Sequence, residues 1–335
     1  MKNTDFASVS AFLRVQEKRL LSGGDIDRVI DAPNADEALR MLSQNSDYDF
    51  ASLKNAFEYE SRLKAELKRV YESAWKLAGD NSELVDILAA KYDFHNVKTA
   101  VKAAHFSQRT ENPYFYVTPV APGDIEDYVQ NGAAAKSGLP AHLKQAVDTA
   151  EDAYEHTQNP QNIDIAVDKA LFAYQMTLCA RLGNDFISDY MKMSIDFYNI
   201  KTLLRVKMMQ KGTAFLTEAL APGGKTATDF FVENYSKNVS AMAPVFYYKY
   251  FGGAVQAGLE AFERDGNLSA LEKRFDDLLV AHTKQAKYLS FGGEILFAYI
   301  VSKENEIRQV RIIVTCKQNG IGADALRERL RDTYA

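Results

Sequence analysis

Residues 93–103 read DFHNVKTAVKA, and residues 196–206 read DFYNIKTLLRV. Five of the first seven positions are identical; the other two exchange His95 for Tyr198 and Val97 for Ile200, which keeps size and polarity. A lone echo can arise by chance, so the interval of 103 positions gains weight only if other features share it. The tripeptide GDI at Gly24–Ile26 returns at Gly123–Ile125, 99 positions on, and APGD at Ala121 returns as APGG at Ala221. A third copy of the first stretch is then expected near position 304. ENEIRQVRIIVTCK (Glu304–Lys317) lies there, and aligns Ile307 with Val97 and Ile200, and Arg308 with Lys98 and Lys201. Common helical arrays repeat every 34–47 residues or so, which argues against that architecture here. The chain reads as all-α, with three similar helical modules over 1–111, 112–211 and 212–335, the third much diverged.

Helical periodicity supports the class. In LKNAFEYESRLKAELKRVYESAWKLA, Phe57, Leu63, Leu67 and Val70 keep three-and-four spacing while lysines and glutamates fill the other face. Asn34 stands three residues before Glu37 at the head of NADEALRML, a capping-box pattern. Two stretches rich in Pro and Gly break the rhythm: ENPYFYVTPVAPGD (Glu111–Asp124) and KGTAFLTEALAPGGKTATD (Lys211–Asp229), each a few residues after one copy of the opening motif. In the third copy Ile307, Val310, Ile313 and Val314 line one face, and Glu304 precedes Arg308 by four residues, the favourable order for an exposed ion pair.

Composition narrows the partners. With 335 residues and 47% hydrophobic content the chain can build sizeable cores. The net charge of −5, from 40 basic and 45 acidic residues well mixed, lacks the basic stripe that nucleic acid demands. Cys179 and Cys316 sit singly in apolar helical stretches and read as small buried hydrophobes of a reducing compartment. The N-terminal stretch resembles neither a secretory signal nor a transit peptide, so a cytoplasmic protein is expected. Pro244, Lys249 and Gly252-Gly253 interrupt the most apolar segment, Ser240–Leu259, so no membrane insertion is expected; its aromatic run from Phe246 to Phe251 reads as core.

Chemistry is hard to find. None of the five histidines has the spacing of a one-face metal site. Asp276-Asp277 resembles half of a magnesium-binding acidic motif, but position 280 is Val, and a solvated helix face is the expectation. Gly320, Gly322 and Ala325 satisfy the dinucleotide fingerprint, yet no crossover strand and ribose-binding acid follow. Gly320 is better read as the stop of one helix, with Asp324 beginning the last. No cofactor is expected. An all-helical metal-dependent enzyme, its site assembled from distant acids and histidines, is the alternative class.

The same residues resemble a known family. FLRVQEKRLLSGGDIDRVIDAPNADEALRML near the N-terminus, YDFHNVKTAVKA, DFYNIKTLLRVK and the closing ENEIRQVRIIVTCKQNGIGADALRERLRDTY are similar to the C subunit, also called d, of A-type and V-type rotary ATPases. The ending is the most specific, with Glu306, Ile307, Arg308, Arg311, Lys317, Asn319, Gly320, Arg327 and Tyr334 in register, and the resemblance runs from Ala11 to Tyr334. The middle section from Asn131 to Ala166 follows the family only loosely. The resemblance implies a pseudo-threefold helical funnel without catalysis of its own. It would sit on the cytoplasmic face of the membrane between the central shaft of the ATPase head and the proteolipid ring, and serve ion transport. The recurring basic residues Lys98, Lys201, Arg308 and Arg311 are the candidate contacts, either lining the mouth of the funnel or holding modules together through charge pairs.

Overall fold

The structure, a computed structural model, describes residues 2–45, 47–50, 53, 58–106, 113–136, 138–239, 241–242 and 252–335. The aromatic run Phe246–Phe251 lies outside the described residues. Every regular element described is a helix. In chain order they are α1 (Ala7–Glu17), α2 (Gly23–Ile30), α3 (Ala35–Asn45), α4 (Tyr59–Ala78), α5 (Glu83–His105), α6 (Pro122–Asn131), α7 (Ala141–Thr157) and α8 (Pro160–Leu182). There follow α9 (Asp185–Met208), α10 (Thr213–Ala219), α11 (Thr228–Glu233), α12 (Gly252–Asp265), α13 (Ser269–Lys284), α14 (Gly293–Gln318) and α15 (Ala323–Arg329).

Contacts divide the chain into two compact units: residues 1–79 with 236–335, and residues 80–235. In the second unit α5 packs against α6, α7 and α8. Phe94, Val97 and Val101 of α5 meet Ile125, Leu143, Val147, Ile163 and Val167, all buried. Each such side chain contributes about 1.5–3 kcal/mol on leaving water, which outweighs the weak intrinsic preference of any one helix. In the first unit α14 plays the part of α5, packing against α1, α3 and α4. Its expected stripe of Ile307, Val310, Ile313 and Val314 is buried, as are both cysteines.

Local chemistry sets the helix ends. Asn34 accepts the Glu37 amide at 2.9 Å as the capping pattern predicts, although the Glu37 carboxylate turns to Arg40. A complete capping box stands instead at Ser22 and Asp25, opening α2. Asn159 and Asn184 cap α8 and α9 through the amides of Gln161 and Ile187.

The ends of α9 and α14 correct the alignment of the third copy. Gln210 at φ 54° and Gly320 at φ 68° stop the two helices, and the amides of Lys211 and Ile321 reach back to the carbonyls of Val206 and Cys316. Gly212 and Gly322 then begin seven-residue helices, α10 and α15. In this register DFYNIK (196–201) matches EIRQVR (306–311), so Arg311, not Arg308, stands where Lys98 and Lys201 stand. A slide of three residues preserves a helix's apolar face, and hydrophobic pattern alone could not separate the two registers.

Gly224, in the recurring APGG, is held by sterics. A Cβ there would overlap Asp196 Oδ1, whereas one at Gly123, in the matching APGD, would meet nothing within 4 Å. Gly224→Ala is therefore expected to cost about 1–3 kcal/mol in denaturant unfolding, and Gly123→Ala less than about 0.5 kcal/mol. Equal effects at the two glycines would contradict this difference.

Candidate functional site: the polar seam of the long helices and the surfaces beside it

The recurring stretch places an acid, an amide three residues on, and a cation two beyond that, along one helix. The amide takes hold of passing backbone. Asn96 donates to the Phe115 carbonyl at 2.7 Å and accepts the Phe115 amide at 2.9 Å. Asn199 makes the same double bond with Ala221, at 2.8 Å each way. The acid holds a neighbouring point: Asp93 accepts the Thr118 hydroxyl, and Asp196 accepts the Thr226 amide at 3.1 Å. On α14 the acid is Glu306, and the backbone it holds is the Leu21 amide, at 2.5 Å. The C-terminal long helix is thus tied to the N-terminal segment.

Around Glu306 the sequence hides a charged centre. Lys303, fully buried, lies 2.9 Å from Glu306 and 3.6 Å from Glu66 of α4, while the Tyr48 hydroxyl donates to Glu306 at 3.0 Å. Burial alone would push the Lys303 ammonium down, but Glu306 and its neighbours outweigh it and raise the pKa above the ordinary lysine value. Burial together with Glu306 drives the Tyr48 phenol well up, so it stays a donor. Arg69 completes the centre with a bidentate pair to Glu66 at 2.7 Å.

The four basic residues singled out in the sequence fall in different places. Lys98 on α5 reaches Asp168 of α8 at 2.5 Å, and Arg311 on α14 pairs twice with Glu60 of α4 at 2.9 Å. Each ties a long helix to a helix packed against it. Lys201 is half-buried on α9. Arg308 points elsewhere, to Asp276 of α13 at 3.0 Å, where Arg331 joins it at 2.9 Å. Asp276 and Asp277 are therefore not a solvated face: Lys273 and the Asp332 amide engage Asp277. Glu304, expected to pair with Arg308 in the open, receives the Tyr71 hydroxyl at 2.6 Å.

Two surfaces stand out beside this polar seam. On the first unit, Phe12 and Val15 of α1 are about half exposed, and Tyr288, 90% exposed, lies with Leu289 and Phe291 in the segment before α14. Arg14 binds α1 to that segment through the Ala286 and Leu289 carbonyls, at 2.7 and 2.8 Å. On the second unit, a groove of about 880 Å³ runs between α7 and α8 toward Glu218 and Pro222. One of its walls carries His142 stacked on Tyr174, with ring centroids 3.9 Å apart, and burial lowers the imidazole pKa. Among the described residues, no cluster of His, Cys, Asp and Glu is placed to hold a metal ion, and no helix is long and apolar enough to cross a membrane.

The fold is an all-helical frame whose polar side chains hold its own backbone. The ATP synthase (C/AC39) subunit family matches residues 9–329, and the chain belongs to that family. It is 22% identical over 333 residues to the C subunit of the V-type sodium ATPase of Enterococcus hirae, covering 98% of this chain and 99% of that protein. The C subunit of the A-type ATP synthase of Methanocaldococcus jannaschii is 20% identical, covering 97% and 86%. That of Thermococcus kodakarensis is 22% identical, covering 98% and 90%.

Sequence reasoning missed Lys303, Glu66 and Tyr48, since Glu66 and Tyr48 lie more than two hundred positions from the Lys303–Glu306 pair they enclose. The acid of the repeat was visible but carried no assigned role. Removing Lys303 leaves the buried Glu306 carboxylate without its cation, while Glu66 keeps Arg69, so Lys303→Met is expected to cost about 3–5 kcal/mol in urea unfolding. A loss under 1 kcal/mol or so would show that the centre is not held together by charge.

Asp93 behaves differently, being buried with one hydroxyl donor. Burial, reinforced by Asp86 and opposed by the Thr118 hydrogen bond, lifts its pKa to about 7. Because the folded value exceeds the ordinary one, the stability Asp93 contributes is full below about pH 4 and is lost as pH climbs through 7. The Asp93→Asn variant should gain on the wild type by up to about 1.4 kcal/mol per pH unit across that window, measured by denaturant unfolding. A difference independent of pH would exclude the titration.

Proposed function

We propose that the chain is a non-catalytic central-stalk subunit of a V/A-type rotary ATPase, coupling the shaft of the ATPase head to the membrane proteolipid ring for ion transport. The observation that carries this reading is the family match across nearly the whole chain, joined by relatives of similar length that are named as C subunits. The architecture suits that role, because torque needs a stiff frame, and the long helices here are tied to their neighbours by ion pairs and backbone staples as well as by apolar packing. Apolar side chains left in the open on the first unit suit a protein covered by partners in an assembly.

On this reading the three modules, 1–111, 112–211 and 212–335, stand around a pseudo-threefold axis as a funnel on the cytoplasmic face of the membrane. The acid–amide–cation stretch on α5, α9 and α14 supports that division. Lys98, Lys201, Arg308 and Arg311 serve as internal ties and do not line the mouth, a role supported by the carboxylates that Lys98, Arg308 and Arg311 meet inside the chain.

The test is a pull-down of tagged chain from gently solubilised membranes, read by native mass spectrometry. One copy of the chain with a proteolipid ring and an ATPase head is the expected result, and Lys201→Glu should leave that stoichiometry unchanged. Recovery of the chain without ring or head would overturn the coupling role, and loss of the head alone with Lys201→Glu would return Lys201 to the interface.

A further inference from the structure

The third copy of the recurring stretch departs from the other two at its amide. In the register set by the helix ends, Gln309 stands where Asn96 and Asn199 stand. Each asparagine donates to the carbonyl and accepts the amide of one residue in a returning loop. Gln309, 2% exposed, makes no such bond through its side chain among the described residues. The backbone that returns to α14 is Leu20–Leu21. Glu306 takes the Leu21 amide at 2.5 Å, while neither the Leu20 nor the Leu21 carbonyl accepts a hydrogen bond among the described residues. A buried amide and a buried turn of backbone are thus both short of partners, which is costly. A small cavity is lined by Leu20, Leu21, Ser302, Asn305, Glu306 and Gln309 together, and the centre of a water molecule fits within it over about 10 Å³.

We propose that this cavity is the site of one structural water, which accepts a hydrogen bond from Gln309 Nε2 and donates one to the Leu20–Leu21 backbone. The volume is room for a single water and for nothing larger. The lining chemistry calls for a donor. Ser302 spends its hydroxyl proton on the Ala298 carbonyl at 2.6 Å, and Asn305 its amide on the Asp332 carbonyl at 2.9 Å, so each turns an oxygen acceptor to other partners. A metal cation does not suit the same oxygens, because the buried Lys303 ammonium already lies 2.9 Å from Glu306. Gln309 Oε1 is sealed from solvent, which leaves Nε2 as the polar end that meets the cavity. The nitrogen is also the atom that Asn96 and Asn199 use to hold a carbonyl. The third copy then makes the same staple through a water, at little loss against a direct bond, and the water positions the N-terminal segment on α14 beside Glu306.

The test is a crystal structure of the full chain at a resolution that shows ordered waters, joined by hydrogen exchange at Leu21 in the wild type and in Gln309→Met. That substitution keeps the length of the side chain and removes both of its polar ends. The expected structure shows one water within about 3.2 Å of Gln309 Nε2 and of a Leu20 or Leu21 carbonyl, and the water is missing from the variant. Exchange at Leu21 should run about fivefold faster in Gln309→Met, the scale of one hydrogen bond. A cavity without water in a structure that resolves other buried waters would overturn the site, as would a direct bond from Gln309 to either carbonyl, or equal exchange in the two proteins. Should the variant not fold, the wild-type crystal structure decides alone between a water and a direct bond.

Discussion

Non-helical backbone inside an all-helical core must find partners for its amides and carbonyls, and the long helices of this protein supply them from their own side chains. Asn96 and Asn199 each make a paired bond with one residue of a returning loop, as a neighbouring strand would. Their adjacent acids hold the loop a few residues further on. This requirement fixes much else: it keeps a glycine at 224, where any side chain would collide with Asp196, and it buries carboxylates that then need donors or cations of their own.

The first unit meets the same requirement with charge. Glu306 takes the Leu21 amide, and Lys303, Glu66 and Tyr48 enclose that carboxylate. The N-terminal and C-terminal members lie more than two hundred positions apart, so the centre joins the two ends of the sequence into one compact unit. Buried ion pairs seldom add much net stability over apolar packing, yet they are severe on any arrangement that leaves a member unpaired. Their value here lies in specifying a single docking of the N-terminal helices on α14. On the proposed coupling role, a frame that passes torque gains from that kind of specification.

Much of this was legible beforehand. The all-helical class, the recurrence of the DFxNxKT stretch, the buried cysteines and the helix stop at Gly320 followed from spacing and residue type. The exact register of the third copy did not, because a slide of three residues keeps an apolar stripe in place, and the ends of α9 and α14 had to decide it. Nor did the fate of Asp276, Asp277 and Glu304, which look solvated along the sequence but find Arg331, Lys273 and Tyr71 through tertiary contact. The cavity beside Gln309 was beyond sequence altogether, since a space between side chains leaves no pattern.

Coupling itself can be measured by depletion. Membranes carrying the ATPase would be stripped of this chain, and ATP hydrolysis and ion transport followed in the same vesicles before and after adding it back. Hydrolysis that continues without ion transport, with transport restored by the purified chain, is the outcome expected of a subunit that joins shaft to ring. Ion transport that persists at full rate in its absence would show that torque reaches the ring by another route.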